Sequence, residues 1–174
     1  MKHYVKRMLY IILALVILSS LALWISYLVS GGASVINNHV IIHRPQDTVF
    51  NFVADMRNEL VWNPDVQFMD KITDGPIGIG TRFRAKWHLS DTLEVKITRY
   101  EPPNYITFVN GGSLEVKLEL SLSSSDNGTE MDSKFIANPH GFLRAIFPVM
   151  KSQLKSQEQE NMKNLKKALE ENKY

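Results

Sequence analysis

Residues Leu114–Leu122 read LEVKLELSL and residues Thr129–Ala137 read TEMDSKFIA. In the first stretch Leu114, Val116, Leu118, Leu120 and Leu122 alternate with Glu115, Lys117, Glu119 and Ser121. Successive side chains of a strand point to opposite faces, so one face is wholly aliphatic and the other polar. In the second stretch Met131, Ser133 and Phe135 oppose Glu130, Asp132 and Lys134. Asp126-Asn127-Gly128 between them supplies residues that tolerate positive φ, a strong hairpin signal. Two such strands joined by a tight turn predict an antiparallel sheet with one covered side.

These two belong to four or five segments of period two that follow Trp62-Asn63-Pro64, and others lie upstream of them. Thr81–Leu89 sets Phe83, Ala85, Trp87 and Leu89 against Arg82, Arg84, Lys86 and His88. Thr92–Thr98 sets Leu93, Val95 and Ile97 against Thr92, Glu94, Lys96 and Thr98. Glu101-Pro102-Pro103-Asn104 reads as a turn, and residues 75–80 (GPIGIG) as a flexible loop, since no Lys-Ser/Thr follows to make a phosphate loop. Ser34–His43 reads as a further strand. PQDTVFNFVADM (residues 45–56) reads as a helix with Val49, Phe52, Val53 and Met56 at helical spacing, broken by Trp62-Asn63-Pro64.

Downstream of Asn138-Pro139, Leu143, Phe147, Met150, Leu154, Met162, Leu165 and Leu169 recur at three- and four-residue steps. They predict a long amphipathic helix from His140 to Asn172, with Lys, Gln, Glu and Asn on its wet face. Pro148 marks a kink or a late start. Such a helix needs an apolar surface, and the sheet offers one. The fold class is α+β.

Met8–Val29 carries no charge across 22 residues. As a helix it is roughly 33 Å long, enough to cross a hydrocarbon layer of about 30 Å. Lys2, Lys6 and Arg7 precede it without an acid, and the first basic residue after it is Arg44. This asymmetry predicts a cytoplasmic N-terminus and a body outside the cytoplasm at the cell membrane. The run is too long for a cleaved signal, whose site would have to be Gly31-Gly32-Ala33. Residues 1–33 are thus read as stub, anchor and linker, and residues 34–174 as one domain.

The chain has 174 residues with 20 Lys+Arg and 18 Asp+Glu, a net charge of +2. That near-balance speaks against nucleic acid as a partner. Cysteine is absent, which removes disulfides, thiolate metal sites and a Cys nucleophile. The histidines His3, His39, His43, His88 and His140 show no metal-pair spacing, so neither a metal nor a cofactor is expected.

Arg44-Pro45, Val49-Phe50, Val53-Ala54-Asp55, Trp62-Asn63-Pro64, Gly78-Ile79-Gly80-Thr81-Arg82-Phe83 and Tyr100-Glu101-Pro102-Pro103 fall in order along this element pattern. Together they resemble the SRPBCC (START-like, helix-grip) superfamily, in its polyketide cyclase/dehydrase and lipid-transport branch, over about Val35–Leu169. The resemblance implies a curved antiparallel sheet wrapped around the long C-terminal helix, with a cavity for hydrophobic ligands between them. In that arrangement Phe83, Trp87, Val95, Phe108, Leu118, Ser133 and Phe135 would line the cavity from the strands. Leu143, Phe147 and Met150 would line it from the helix, and Trp62 would sit at its mouth. Plain core packing accounts for the same residues equally well.

The inward parity holds no charged side chain, so the strands offer no catalytic residue. Acid–base chemistry would have to recruit Asp55, Glu59, Asp65, His140 or Arg144 from loops or helices. Arg82, Arg84 and Lys86 form an outward basic row, either a head-group contact or a solvated face offset by Glu94, Glu115 and Glu119. The leading expectation is a membrane-anchored domain that binds or carries a hydrophobic, lipid-like small molecule. The alternatives are a cyclase- or hydratase-like enzyme on a polyketide or aromatic substrate, and a protein-interaction module with a filled core.

Overall fold

The alternating stretches 114–122 and 129–137 form the longest hairpin of a seven-stranded antiparallel sheet. The computed structural model describes residues 2–29, 32–88 and 90–171. Ser30 and Gly31 of the expected linker, Leu89 of the expected strand and Asn172 of the expected last helix lie outside the described residues. The strands are β1 (Ser34–Ile42), β2 (Val66–Lys71), β3 (Arg82–Trp87), β4 (Leu93–Glu101), β5 (Tyr105–Asn110), β6 (Leu114–Ser125) and β7 (Gly128–Pro139), in the order β1-β7-β6-β5-β4-β3-β2. Parity holds along β6 and β7: Leu120, Leu122, Met131 and Ser133 are buried, while Glu115, Lys117, Asp132 and Lys134 are exposed.

Two strands lack the alternation that marks the others. In β5, Ile106, Thr107 and Phe108 are all buried, so no wet face shows in the sequence. In β2 a register shift between Val66 and Phe68 breaks the period. A second shift, between Ile97 and Arg99 of β4, returns Tyr100 to the inside. There it meets Phe50 edge-on with ring centroids 5.4 Å apart.

The expected helix after β1 is shorter than its sequence pattern. It divides into α2 (Gln46–Ala54), a 3₁₀ turn (Met56–Asn58) and α3 (Glu59–Trp62). Asp55 makes the break, its extended backbone leaving a carboxylate that accepts from the Arg57 N–H at 3.1 Å. Val49, Phe50, Phe52 and Val53 of α2 enter the core beneath the sheet.

The last helix, α4 (Gly141–Glu170), runs through Pro148. Its C-terminal half, with Met162, Leu165 and Leu169, joins the main core cluster, and its N-terminal half buries Ala145 and Phe147 outside that cluster. The joint between β1 and α2 clamps its end. Arg44 donates to the carbonyls of Leu169 (2.9 Å) and Glu170 (2.7 Å), and the His43 N–H donates to the Glu170 carboxylate at 2.8 Å. Carbonyls at a helix end have no intrahelical partner, so this clamp satisfies them and fixes α4 to the sheet. The N-terminal half of α4 meets α1 (Lys2–Val29), whose described side chains are exposed except Ser26. The helix α1 is long and apolar enough to cross a membrane.

Gly128 opens β7 at φ +122°, and a Cβ there would collide with the Ile42 carbonyl, His43 Cα and the Arg44 N. Both the backbone conformation and the close approach to the clamp demand glycine. Gly128→Ala is therefore expected to destabilise the domain by roughly 2–4 kcal/mol. Urea unfolding followed by tryptophan fluorescence checks this, and an unchanged midpoint would show that the clamp tolerates a side chain.

Candidate functional site

Helix α3 is four residues long, too short to stand alone, and its role is to place Glu59. Asn63 closes the helix with its N–H to the Glu59 carbonyl (2.8 Å), and its side-chain amide donates to the Glu59 carboxylate (2.6 Å). The indole N–H of Trp87, from β3, donates to the same Oε1 at 3.3 Å. Glu59 is thus pinned facing the interior. From the facing helix come Glu158 and Asn161, which hydrogen-bond each other one turn apart. Asn63 and Asn161 are buried, and the half-buried Asp65 N–H is held by Asn63 Oδ1 at 3.1 Å.

Burial shifts the protonation of the Glu59 and Glu158 carboxyl groups. Burial pushes the Glu59 carboxyl above its ordinary range, partly offset by the donors from Asn63 and Trp87. Glu158 is pushed up to about 7, first by burial and then by the Glu59 and Asp65 carboxylates, with Asn161 pulling the other way. Two carboxyl groups with one of them titrating near neutrality can hold or pass a proton, or meet a donor on a ligand.

The strand residues expected to line a cavity fall into two places. Phe83, Val95 and Phe108 are buried in one apolar cluster, with Trp62, Trp87 and Leu118 half-buried against it. Ser133, Phe135, Leu143, Phe147 and Met150 lie outside that cluster. The inner face is unevenly covered. Leu120, Leu122 and Met131 are shut in with the side chains of α2 and of the C-terminal half of α4, whereas Leu114, Val116, Leu118 and Phe135 at the other end keep part of their surface open. On the same face Ser133 stands opposite Asn38, and Ser133 Oγ and Asn38 Nδ2 are buried without a hydrogen-bond partner.

Of the residues a catalytic reading would recruit, Glu59 turns inward and three point elsewhere. Asp55 pairs with Arg57 at 2.6 Å, the His140 ring with Glu115 at 3.2 Å, and Arg144 stacks over the Tyr27 ring. Glu158 and Asn161 correct the expectation that every polar residue of the last helix is wet. They follow Leu154 and precede Leu165 at helical steps, so they occupy the apolar stripe itself. That placement was the available signal. Outside this region, a groove of about 550 Å³ follows the seam between β1 and the last turns of α4. Its rim lysines Lys163 and Lys166 are paired with Glu160 and Glu170.

A curled antiparallel sheet gripping one long helix, with an apolar inner face and a few polar groups, defines a helix-grip domain. Residues 35–170 match the family model described as polyketide cyclase / dehydrase and lipid transport, and the chain belongs to that family. No curated protein matches the chain. Among solved structures it is similar to Ara h 8.0201, at 16% identity and TM-score 0.60 over 79% of this chain and 98% of that one. It is also similar to TTHA0849 from Thermus thermophilus, at 12% identity and TM-score 0.64 over 78% and 97%. A third likeness is to the di-domain ARO/CYC StfQ from the steffimycin biosynthetic pathway, at 12% and 0.63 over 82% and 52%. At these identities the likeness is one of fold.

The raised Glu158 makes stability depend on pH. Its folded-state value lies above its unfolded one, so the protonated form favours folding. That contribution is complete below about pH 4.5 and is lost as pH rises through about 7. Glu158→Gln should remove this contribution. The variant should match the parent near pH 4 and exceed it by on the order of 3 kcal/mol at pH 8, read as urea midpoints. A constant difference across that range would place the carboxyl in water.

Proposed function

We propose that the protein is a single-pass membrane protein, with its N-terminus in the cytoplasm, whose helix-grip domain (residues 34–174) stands outside and binds a lipid-like molecule against the inner face of the sheet. The observation that carries this reading is the partly open apolar strip of Leu114, Val116, Leu118 and Phe135, continuous in the strands with the buried Leu120 and Leu122. Burying an aliphatic ligand there gains about 0.8 kcal/mol per methylene, which suffices without any charged partner. Trp62, Phe83, Trp87, Val95 and Phe108 supply the apolar walls, and Ser133 a hydrogen-bonding group. Leu143, Phe147 and Met150 supply the helix side nearest the anchor. The family's lipid-transport branch supports the ligand class, and the three cations ahead of the apolar run support the orientation. Tethering keeps the domain at the membrane from which such a ligand partitions.

A second reading is favoured by Glu59 and Glu158. With Glu158 near neutrality, the pair has the protonation states for general acid–base work of the cyclase or dehydrase kind that the family description also names. The two readings part on the ligand recovered. Under simple binding, parent and Glu158→Gln carry the same molecule. Under dehydration chemistry the variant retains a species heavier by one water.

The binding reading is tested with full-length Trp24→Phe protein in bilayer discs, which leaves Trp62 and Trp87 as reporters. Replacing the disc lipid by its acyl-brominated form should quench most of their fluorescence, because lipid enters the domain. Combining Leu118→Gln with Phe135→Gln should restore the signal while circular dichroism stays unchanged. Equal emission in both lipids would contradict the reading.

A further inference from the structure

The first turns of α4 do not belong to the amphipathic pattern of the rest. Gly141–Met150 carries a single charge, Arg144, whereas Lys151 onwards is charged at every turn. Phe142 is 71% exposed, Val149 84% and Met150 36%. Phe142, Ile146 and Val149 stand at i, i+4 and i+7 and share one face of the helix. The segment buries Ala145 and Phe147, but Phe142 and Val149 stay exposed, so burial within the protein does not account for them.

This segment is held against the end of α1. Ser26 Oγ donates to the Ala145 carbonyl at 2.6 Å, and the Arg144 guanidinium lies 4.8 Å from the centre of the Tyr27 ring. Pro148 has no N–H to bond the Arg144 carbonyl, and the serine bonds the neighbouring Ala145 carbonyl while the helix runs on through this turn. The segment of α1 long and apolar enough to span a membrane is His3–Leu28, which puts Ser26 and Tyr27 at its last turn. In a spanning helix that turn lies at the border between hydrocarbon and head groups, where Tyr, Trp and Arg are at home. The geometry therefore carries α4 to the same level.

We infer that Gly141–Met150 is a second membrane element, an interfacial helix seated with Phe142, Ile146 and Val149 among the acyl chains of the leaflet in which α1 ends. The inference rests on the reading of α1 as the span. Its occupant is the bilayer itself, argued from continuity with α1, and Arg144 is placed for the head-group layer. Through Leu143 and Phe147 the same segment would bring the open end of the sheet to the lipid surface.

The absence of cysteine permits a clean test on the full chain. Single cysteines replacing Leu18, Phe142, Val149 and Lys163 are labelled with a nitrobenzoxadiazole dye in phosphatidylcholine vesicles, with or without bromine on the acyl chains. Labels at 18, 142 and 149 should emit at shorter wavelength and lose intensity in brominated lipid, and the label at 163 should do neither. The unlabelled cysteines at 142 and 149 should also react with a charged maleimide much more slowly than the one at 163, which guards against a dye that drags its site into lipid. Labels at 142 and 149 that behave like 163, with 18 still quenched, would overturn the inference alone. Loss of quenching at 18 as well would overturn it together with the anchor. Neither outcome touches ligand binding by the domain, which the tryptophan experiment reads separately.

Discussion

A sheet most of whose strands turn one apolar face and one polar face cannot leave the apolar side in water, and the remaining architecture answers that constraint. Helix α2 and the C-terminal half of α4 cover one end of the face, and Arg44 and His43 lock α4 in place by taking up its terminal carbonyls and carboxylate. The sheet's order lets this happen, because β1 lies beside β7 and brings the β1–α2 joint to the end of α4. At the other end the cover is incomplete. The half-open surface of Leu118 and Phe135 is where a hydrophobic ligand would finish what the protein's own side chains leave undone.

Into this apolar interior the chain places a few polar groups with some care. Glu59 is fixed by Asn63 and Trp87, so its direction is set before any ligand arrives. Glu158 faces it from α4, and burial together with the like charge pushes that carboxyl up to about 7. A neutral carboxyl can donate a hydrogen bond to a ligand oxygen, and a charged one can accept from a ligand hydroxyl. Under the proposed binding reading, the pair would meet the polar end of a mostly apolar molecule.

Much of the fold was legible because the strands keep strict parity. Val95 and Ile97 alternate with Glu94 and Lys96, and β6 and β7 do the same, so the covered face could be read residue by residue. The strands β5 and β2 were not legible for physical reasons: Ile106, Thr107 and Phe108 are buried together, and a bulge interrupts Val66–Phe68. The site was less legible than the fold. Glu59 stood among the residues that chemistry would have to recruit, yet nothing in its spacing said which way it faces. Glu158 and Asn161 were read with the wet face of the last helix although they share the apolar stripe with Leu154 and Leu165. Long-range contacts, here with Glu59 on α3, decide whether a polar residue on such a stripe is core or rim.

The division of α4 into two halves joins the domain to α1. Its charged half grips the sheet, and its apolar half meets Ser26 and Tyr27 at the end of α1. The central claim remains that the inner face holds a lipid-like molecule, and native mass spectrometry of the full chain released from bilayer discs tests it most directly. The account predicts one tightly held adduct of lipid-like mass that organic solvent strips away, and that the Leu118→Gln, Phe135→Gln protein lacks. A bare polypeptide mass, unchanged after release from discs of several lipid compositions, would contradict it.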